Sequence, residues 1–247
     1  MTNNDTEQDQ SIEIINLDKQ KGNSWKRARY LESKKTAEYT TMEMAYNLTG
    51  KFNNLRDRCL YAILYLCGAR IEEVVRYKSV KYGKKKAYVI KNGIGKNRIV
   101  QDYSKKRIGK LELSIKREDI TLEEHNGRQI LIIRIRNLKN KNPKEKVKLI
   151  PIPLDNPIYE RFVKVINTYI SAFNDDEELF PICKRRAEKI MERIGFNPHY
   201  IRHIRLTHLV RYHNFTDQKL IKYAGWTDSR PAKSYVSINW KDLANSM

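Results

Sequence analysis

The stretch "NPHYIRHIRLTHLV", residues 197–210, sets three histidines and two arginines among leucines and isoleucines. Asn197 suits a helix N-cap and Pro198 a first helical turn, so the spacing predicts a helix starting here. His199 and Arg202 then share one face. Both lie in the first turn, where unpaired backbone N–H groups and the helix dipole favour an anion. Ile201, Ile204 and Leu206 mark the helix as largely buried, and a buried guanidinium needs a neutralising partner. Two partners are open: an internal carboxylate, or a phosphate that arrives with a substrate. Farther along, "TDQKLIKYA" reads as a helix capped by Thr216 and ended by Gly225. Trp226 follows at once and offers an indole N–H donor. Tyr235 stands in "SRPAKSYVSI"; taken alone, such a tyrosine reads as a packing residue.

The charge balance narrows the class of ligand. Lys and Arg total 49 against 29 Asp and Glu, a formal charge of +20 over 247 residues, with a pI near 9.8. That excess points to a polyanion, either nucleic acid or an anionic membrane surface. No apolar run is long enough to span a bilayer, and the opening "MTNNDTEQDQ" is polar and acidic, unlike a signal peptide. A cytoplasmic protein is expected, with no membrane partner. Cys59, Cys67 and Cys183 have no metal-ligand spacing. Cys59 and Cys67 sit in an apolar helical stretch and read as reduced core residues, so neither a metal nor a disulfide is expected.

These side chains need a scaffold. Residues 1 to about 20 read as a flexible acidic tail. "KQKGNSWKRARYLESKK" then reverses the charge, with Trp25 and Tyr30 interleaved among Lys26, Arg27 and Arg29. Such a segment either grips a phosphate backbone and stacks on bases or is a solvated arm. "NNLRDRCLYAILYLCG" predicts a helix capped by Asn53 or Asn54 and stopped by Gly68. "ARIEEVVRY" follows as a short second helix, which places Arg70 in the turn between them. "AYVIK" and "NRIV" flank a Gly-rich turn and predict a hairpin. Lys84, Lys85, Lys86, Lys105, Lys106 and Arg107 make this region strongly basic. "DITLEE", "RQILIIRIR" and "KVKLIPIP" predict three strands, joined by an Asn126-Gly127 turn and by the loop "NLKNKNPKEK". Helices resume at "NPIYERFVKVINTYISAF". The order helices, sheet, helices gives an α+β fold, mainly α, with a small antiparallel sheet.

Five pieces in order now resemble the catalytic domain of the tyrosine recombinase, or phage integrase, family. They are "CGARIEEVV", the lysine-rich loop before "KLIPIP", "HYIRHIRLTHL", "YAGWTDS" and "KSYVSI". The resemblance covers roughly residues 50–240 and implies the DNA breaking-rejoining fold. It implies site-specific strand exchange on double-stranded DNA without a cofactor, through a 3′-phosphotyrosyl intermediate formed by Tyr235. Arg70 and Arg202 would clamp the non-bridging phosphate oxygens, for which the guanidinium fork is suited. His199 and Trp226 would add donors to the transition state. A hairpin lysine would protonate the leaving 5′-oxygen, with Lys139 the first choice, Lys141 the second and Lys144 behind them. Glu73 would orient the arginines and His203 would play a helper role. His208 and His213 read as structural or surface residues. Two alternatives stay open: a type IB topoisomerase-like relaxing enzyme, and a catalytically silent DNA-binding regulator.

The chain also departs from that family. Only about 45 residues precede the catalytic core, which is expected over 46–247; residues 1–45 form an acidic-then-basic arm. A basic insertion at about 77–113 separates the first arginine's helix from the strands. This insertion and the arm are expected to replace the missing half of a DNA clamp. Self-association into a tetrameric synapse on DNA is implied by the resemblance.

Overall fold

A computed structural model describes residues 39–81, 86–91, 97–102, 107–138, 146–232 and 235. Helix α1 (Met42–Asn47) runs into a 3-10 turn (Leu48–Lys51). Helix α2 (Leu55–Cys67) begins where the Asn54 side chain accepts the Asp57 N–H at 2.8 Å. It ends at Gly68, whose φ of +51° is left-handed. Such a residue carries no Cβ penalty and so makes a sharp stop. From Cys59 to Cys67 every side chain of α2 is buried, so α2 is the central helix. Both cysteines are free and buried, as expected; Cys183 is free and exposed.

A single turn, α3 (Ile71–Val74), follows. The chain then forms two nested antiparallel ladders. Strand β1 (Tyr77–Lys81) pairs with β4 (Arg107–Glu112), and β2 (Lys86–Lys91) pairs with β3 (Asn97–Asp102) between them. The hairpin expected from "AYVIK" and "NRIV" is therefore present, but the outer pair was not anticipated. "YKSVK" and "RIGKLE" lack the apolar alternation that marks a half-buried strand.

A three-stranded sheet follows in the order β5 (Ile120–His125), β6 (Arg128–Arg136), β7 (Val147–Pro153), all antiparallel. Asn126 and Gly127, at φ +53° and +73°, make the tight turn between β5 and β6, as the Asn-Gly pair requires. Leu131, Ile133 and Ile135 of β6 point inward, opposite Ile152, Ile150 and Lys148 of β7. A lysine thus stands at a core-facing position.

The remaining chain is helical: α4 (Pro157–Ile170), α5 (Lys184–Glu192), α6 (Pro198–His213) and α7 (Asp217–Ala224). Helix α4 buries Tyr159, Phe162, Val163, Ile166 and Ile170 along one stripe. Its Phe162 ring lies 4.9 Å from that of Tyr65 on α2. Asn197 caps α6, its side-chain oxygen accepting the His199 N–H at 2.8 Å. Thr216 occupies the N-cap position of α7 but makes no side-chain capping bond. Among the described residues, no helix is long and apolar enough to cross a membrane.

Helix α6 is held by buried polar groups as well as by Ile201, Ile204, Leu206 and Leu209. Ile201 through Leu206 are all buried. Arg205, 2 % exposed, donates to the Leu66 carbonyl (3.1 Å) and to the hydroxyls of Tyr223 (3.2 Å) and Tyr159 (2.6 Å). Its guanidinium sits 4.8 Å from the Tyr159 ring centre. The Tyr223 hydroxyl also donates to the Leu66 carbonyl. His208 lies between the Thr40 carbonyl (2.6 Å) and the Tyr65 hydroxyl (2.8 Å). A carbonyl only accepts, so Nε2 carries the proton and Nδ1 accepts from Tyr65. Burial draws His208 down to about 4, so it is neutral at pH 7. The expectation that His208 is structural holds.

Candidate active site

Arg70 sits at the N-cap of α3, directly after the Gly68 stop. The Glu73 carboxylate accepts its backbone N–H (3.0 Å) and its Nη1 (2.9 Å). Glu73 is fully buried and also accepts Lys148 Nζ at 3.0 Å. Arg136, at the end of β6, donates to the Val75 carbonyl at 2.7 Å and steadies the same turn. Lys184 of α5 pairs with the neighbouring Glu72.

Arg202 is buried and hydrogen-bonded to main-chain carbonyls rather than to a carboxylate. Its Nη1 donates to the Gly68 carbonyl (2.5 Å) and its Nη2 to the Ala224 carbonyl (3.0 Å). These are the last carbonyls of α2 and α7, where the negative helix ends favour a cation. One side chain of α6 thereby ties together the two turns that carry Arg70 and Trp226. Burial first, then the Arg70 charge, draws the Arg202 guanidinium down to about 10, so it is a cation at neutral pH.

One carboxylate therefore serves three cations. Burial alone would push the Glu73 carboxyl up. The Lys148, Arg202 and Arg70 charges and the Arg70 N–H more than offset it and hold Glu73 below the ordinary carboxylate range. Lys148 is drawn below the ordinary lysine range by burial and then by Arg202, which Glu73 only partly offsets. Glu73 is bonded to both Arg70 and Lys148 and lies in the field of Arg202, so one carboxylate faces three cations. The cluster as it stands is under-neutralised and suited to a further anion.

A cleft of about 270 Å³ opens on this cluster, lined by Arg70, Asn197, Pro198, His199 and Arg202 together with Glu72, Lys184 and Glu188. A smaller hollow of about 90 Å³ is lined by Arg70, Gly225, Trp226, Thr227, Asp228 and Pro231. Arg70 borders both. The Arg202 guanidinium lies 5.7 Å from the Trp226 ring centre. Trp226 stacks on Tyr235 with ring centres 5.9 Å apart. The Tyr235 ring is 5.2 Å from His203, which is 4.7 Å from His199. The Tyr235 hydroxyl is 2.5 Å from His203 Nδ1. Arg70, His199, Arg202, Trp226 and Tyr235, drawn from separate parts of the chain, thus lie in one continuous cluster, with Glu73 beneath and His203 against the phenol.

Gly225 makes this packing possible. It ends α7 at φ +68°, and a Cβ there would come within 2.7 Å of both Asn137 Nδ2 and Lys148 Cδ. The backbone of the Trp226 turn is therefore pressed against the end of β6 and the start of β7. The Asn137 N–H donates to the Lys146 carbonyl at 2.6 Å and closes the base of the lysine-rich loop there.

Lys139, Lys141 and Lys144 lie outside the described residues. So do Lys26, Arg27 and Arg29 of the arm, and Lys84, Lys85, Lys105 and Lys106 of the insertion. Trp25 and Tyr30 fall outside as well. Lys86 opens β2 and Arg107 opens β4. The sequence reading missed Lys148, although the alternation of "KVKLIPIP" carries its signal: Lys148 shares a face with Ile150 and Ile152. It also missed the proximity of His203 to the phenol, which only the return of the chain at Tyr235 creates.

No family model matches the chain, and no curated protein matches it. Among solved structures it is similar to the XerH site-specific recombinase bound to its difH substrate in a pre-cleavage complex, with a TM-score of 0.49 and 14% identity. That match covers 83% of this chain and 51% of the XerH chain. It is also similar to the XerA recombinase, with a TM-score of 0.48 and 15% identity, covering 84% of this chain and 63% of that one. The chain thus spans about half of the XerH chain and under two thirds of the XerA chain. At such identities the chemistry rests on this chain's own residues.

Proposed function

We infer that the chain is a site-specific DNA recombinase of the tyrosine type, which cuts and rejoins double-stranded DNA through a 3′-phosphotyrosyl link to Tyr235. The observation that carries this reading is the under-neutralised cluster of Arg70, Arg202 and Lys148 beside a tyrosine hydroxyl. A phosphodiester is an anion that gains charge at its non-bridging oxygens on the way to a pentacoordinate transition state. Guanidinium groups held in place stabilise that charge without reorganisation. His199, in the first turn of α6, lines the same cleft, and the positive end of the helix favours an anion there. Trp226 shields one face of the phenol and brings an indole N–H to the site. Glu73 keeps Arg70 and Lys148 oriented. Lys139 is the proposed donor of the proton to the leaving 5′-oxygen, with Lys141 as the alternative. Because the bond energy is kept in the covalent intermediate, rejoining needs no nucleotide hydrolysis. Assembly into a four-protomer synapse belongs to the same proposal.

The nested hairpins supply the grip. Between Lys78 and Leu111 the sequence carries twelve Lys and Arg against one acidic residue, Asp102. Deleting residues 83–110 is expected to weaken DNA binding and flatten the dependence of log K on log salt, by about 0.9 per lost phosphate contact. Unchanged affinity and slope would remove the insertion from the DNA interface.

The function is tested by covalent capture. Purified protein is incubated with a pool of nicked duplexes of randomised sequence, and adducts are separated on a denaturing gel. A captured sequence is then placed twice on one plasmid. Deletion or inversion between the copies is the expected result, lost with Tyr235→Phe. Relaxation without site preference would instead make the chain a topoisomerase, and binding without any adduct a silent regulator.

A further inference from the structure

The proposed chemistry leaves one proton without a destination. Tyr235 attacks as a phenolate, yet a phenol titrates near ~10, so its proton must pass to a base as the bond to phosphorus forms. Glu73 cannot take it, because it is fully buried and engaged by Arg70 and Lys148. Arg70 and Arg202 are donors only. The group in contact with the hydroxyl is His203, whose Nδ1 lies 2.5 Å from Tyr235 Oη.

We propose that His203 is the general base for the nucleophile, receiving the Tyr235 proton on Nδ1; this rests on the recombinase reading above. His203 is 7 % exposed, and its ring is tilted 31° from the phenol ring. It is fixed in place by α6 on one side and by the Tyr235 ring on the other. His199 packs edge-on against it from one turn earlier. Among the described residues, His199 on its own helix and Tyr235 from the chain's return face it. With its proton on Nε2, neutral His203 accepts from the phenol at Nδ1.

The step balances. The Tyr235 O–H bond breaks and the proton goes to His203 Nδ1. The Oη–P bond forms, the P–O5′ bond breaks, and O5′ takes a proton from the loop lysine. The imidazolium formed adds one positive charge to the site while the phosphotyrosine persists. In the rejoining step the 5′-hydroxyl returns its proton to the loop lysine as O5′ attacks phosphorus, the Oη–P bond breaks, and the departing phenolate recovers its proton from His203. No electrons are exchanged with any other group.

Two measurements test this. On a sequence taken from the randomised pool, the rate of adduct formation by the unaltered protein should rise with pH as a single base loses its proton. His203→Gln should slow it by about 10²–10⁴-fold and erase that limb. His203→Ala should be partly restored by added imidazole, which a merely structural histidine would not show. In the DNA-free protein, ¹⁵N NMR of labelled histidine should report His203 as the Nε2–H form, with its Nδ1 signal shifted by Tyr235→Phe. His203→Gln that forms adduct within threefold of the normal rate, with its pH limb intact, overturns the proposal and leaves the recombinase reading standing. A His203 Nδ1 signal indifferent to Tyr235→Phe overturns it even if no DNA is ever cleaved. No adduct by the unaltered protein with any duplex would instead remove the function on which it rests.

Discussion

Arg70→Ala is expected to slow covalent DNA cleavage by about 10²–10³-fold, the typical loss for one preorganised donor to a transition-state oxygen. The fold should survive. Arg70 is not a core residue: its side chain keeps 19% of its exposure, and Glu73 retains Lys148 when the guanidinium is gone. The loss should therefore fall on the chemical step, with DNA affinity much less affected. On the proposed function, the other basic residues of the chain remain to hold the phosphate backbone. Arg70→Lys should recover little, because an ammonium cannot present two parallel donors. Measuring adduct formation under single turnover, alongside DNA affinity and thermal melting, separates the three effects. A melting temperature that fell as far as the rate would mean that Arg70 is a structural partner of Glu73 and not a ligand of the phosphate.

Glu73→Ala should have the largest effect on stability. It removes the carboxylate shared by Arg70 and Lys148 and strands Lys148, whose side chain is only 5% exposed. Breaking a buried ion pair from one side costs about 3–5 kcal/mol, a large share of the stability of an ordinary domain. Denaturant unfolding measures it. Adding Lys148→Met to Glu73→Ala should return much of the loss, since an apolar pair replaces a stranded charge. The pH dependence follows from the lowered carboxyl. A carboxylate whose folded pKa is depressed contributes stability that is present above its unfolded pKa. That stability is lost as pH falls through the folded value. Unaltered protein should therefore weaken on the acid side below the usual carboxylate range, and Glu73→Gln should lose that part of the slope. Equal stabilities for Glu73→Ala and the double variant would show that Lys148 finds solvent without Glu73.

Much of this site could be read from residue order because its elements are bounded by local chemistry. Asn54, Asn156 and Asn197 cap helices through their own side chains, and Gly68 and Gly225 stop helices at left-handed positions. Those marks place Arg70, His199, Arg202 and Trp226 at element ends. Alternation and the Asn126-Gly127 turn likewise announce β5 and β6. What sequence does not carry is the choice of partner. Among the described residues Arg202 finds not a carboxylate but the Gly68 and Ala224 carbonyls, a choice fixed only when three helix ends meet. Arg205 finds hydroxyls and the Leu66 carbonyl in the same way. Strands β1 and β4 escaped because a lysine-rich pair with little apolar content resembles a loop. His203 acquires its contact only when the chain folds back 32 residues later.

The central claim is that Tyr235 becomes covalently bound to DNA. Protein captured on nicked duplexes can be digested with protease and nuclease, and the residual nucleotide located by mass spectrometry. The account predicts a nucleotide joined through its 3′-phosphate to the peptide containing Tyr235, with a free 5′-hydroxyl on the other DNA end. A nucleotide on any other residue, or a link through a 5′-phosphate, would contradict it.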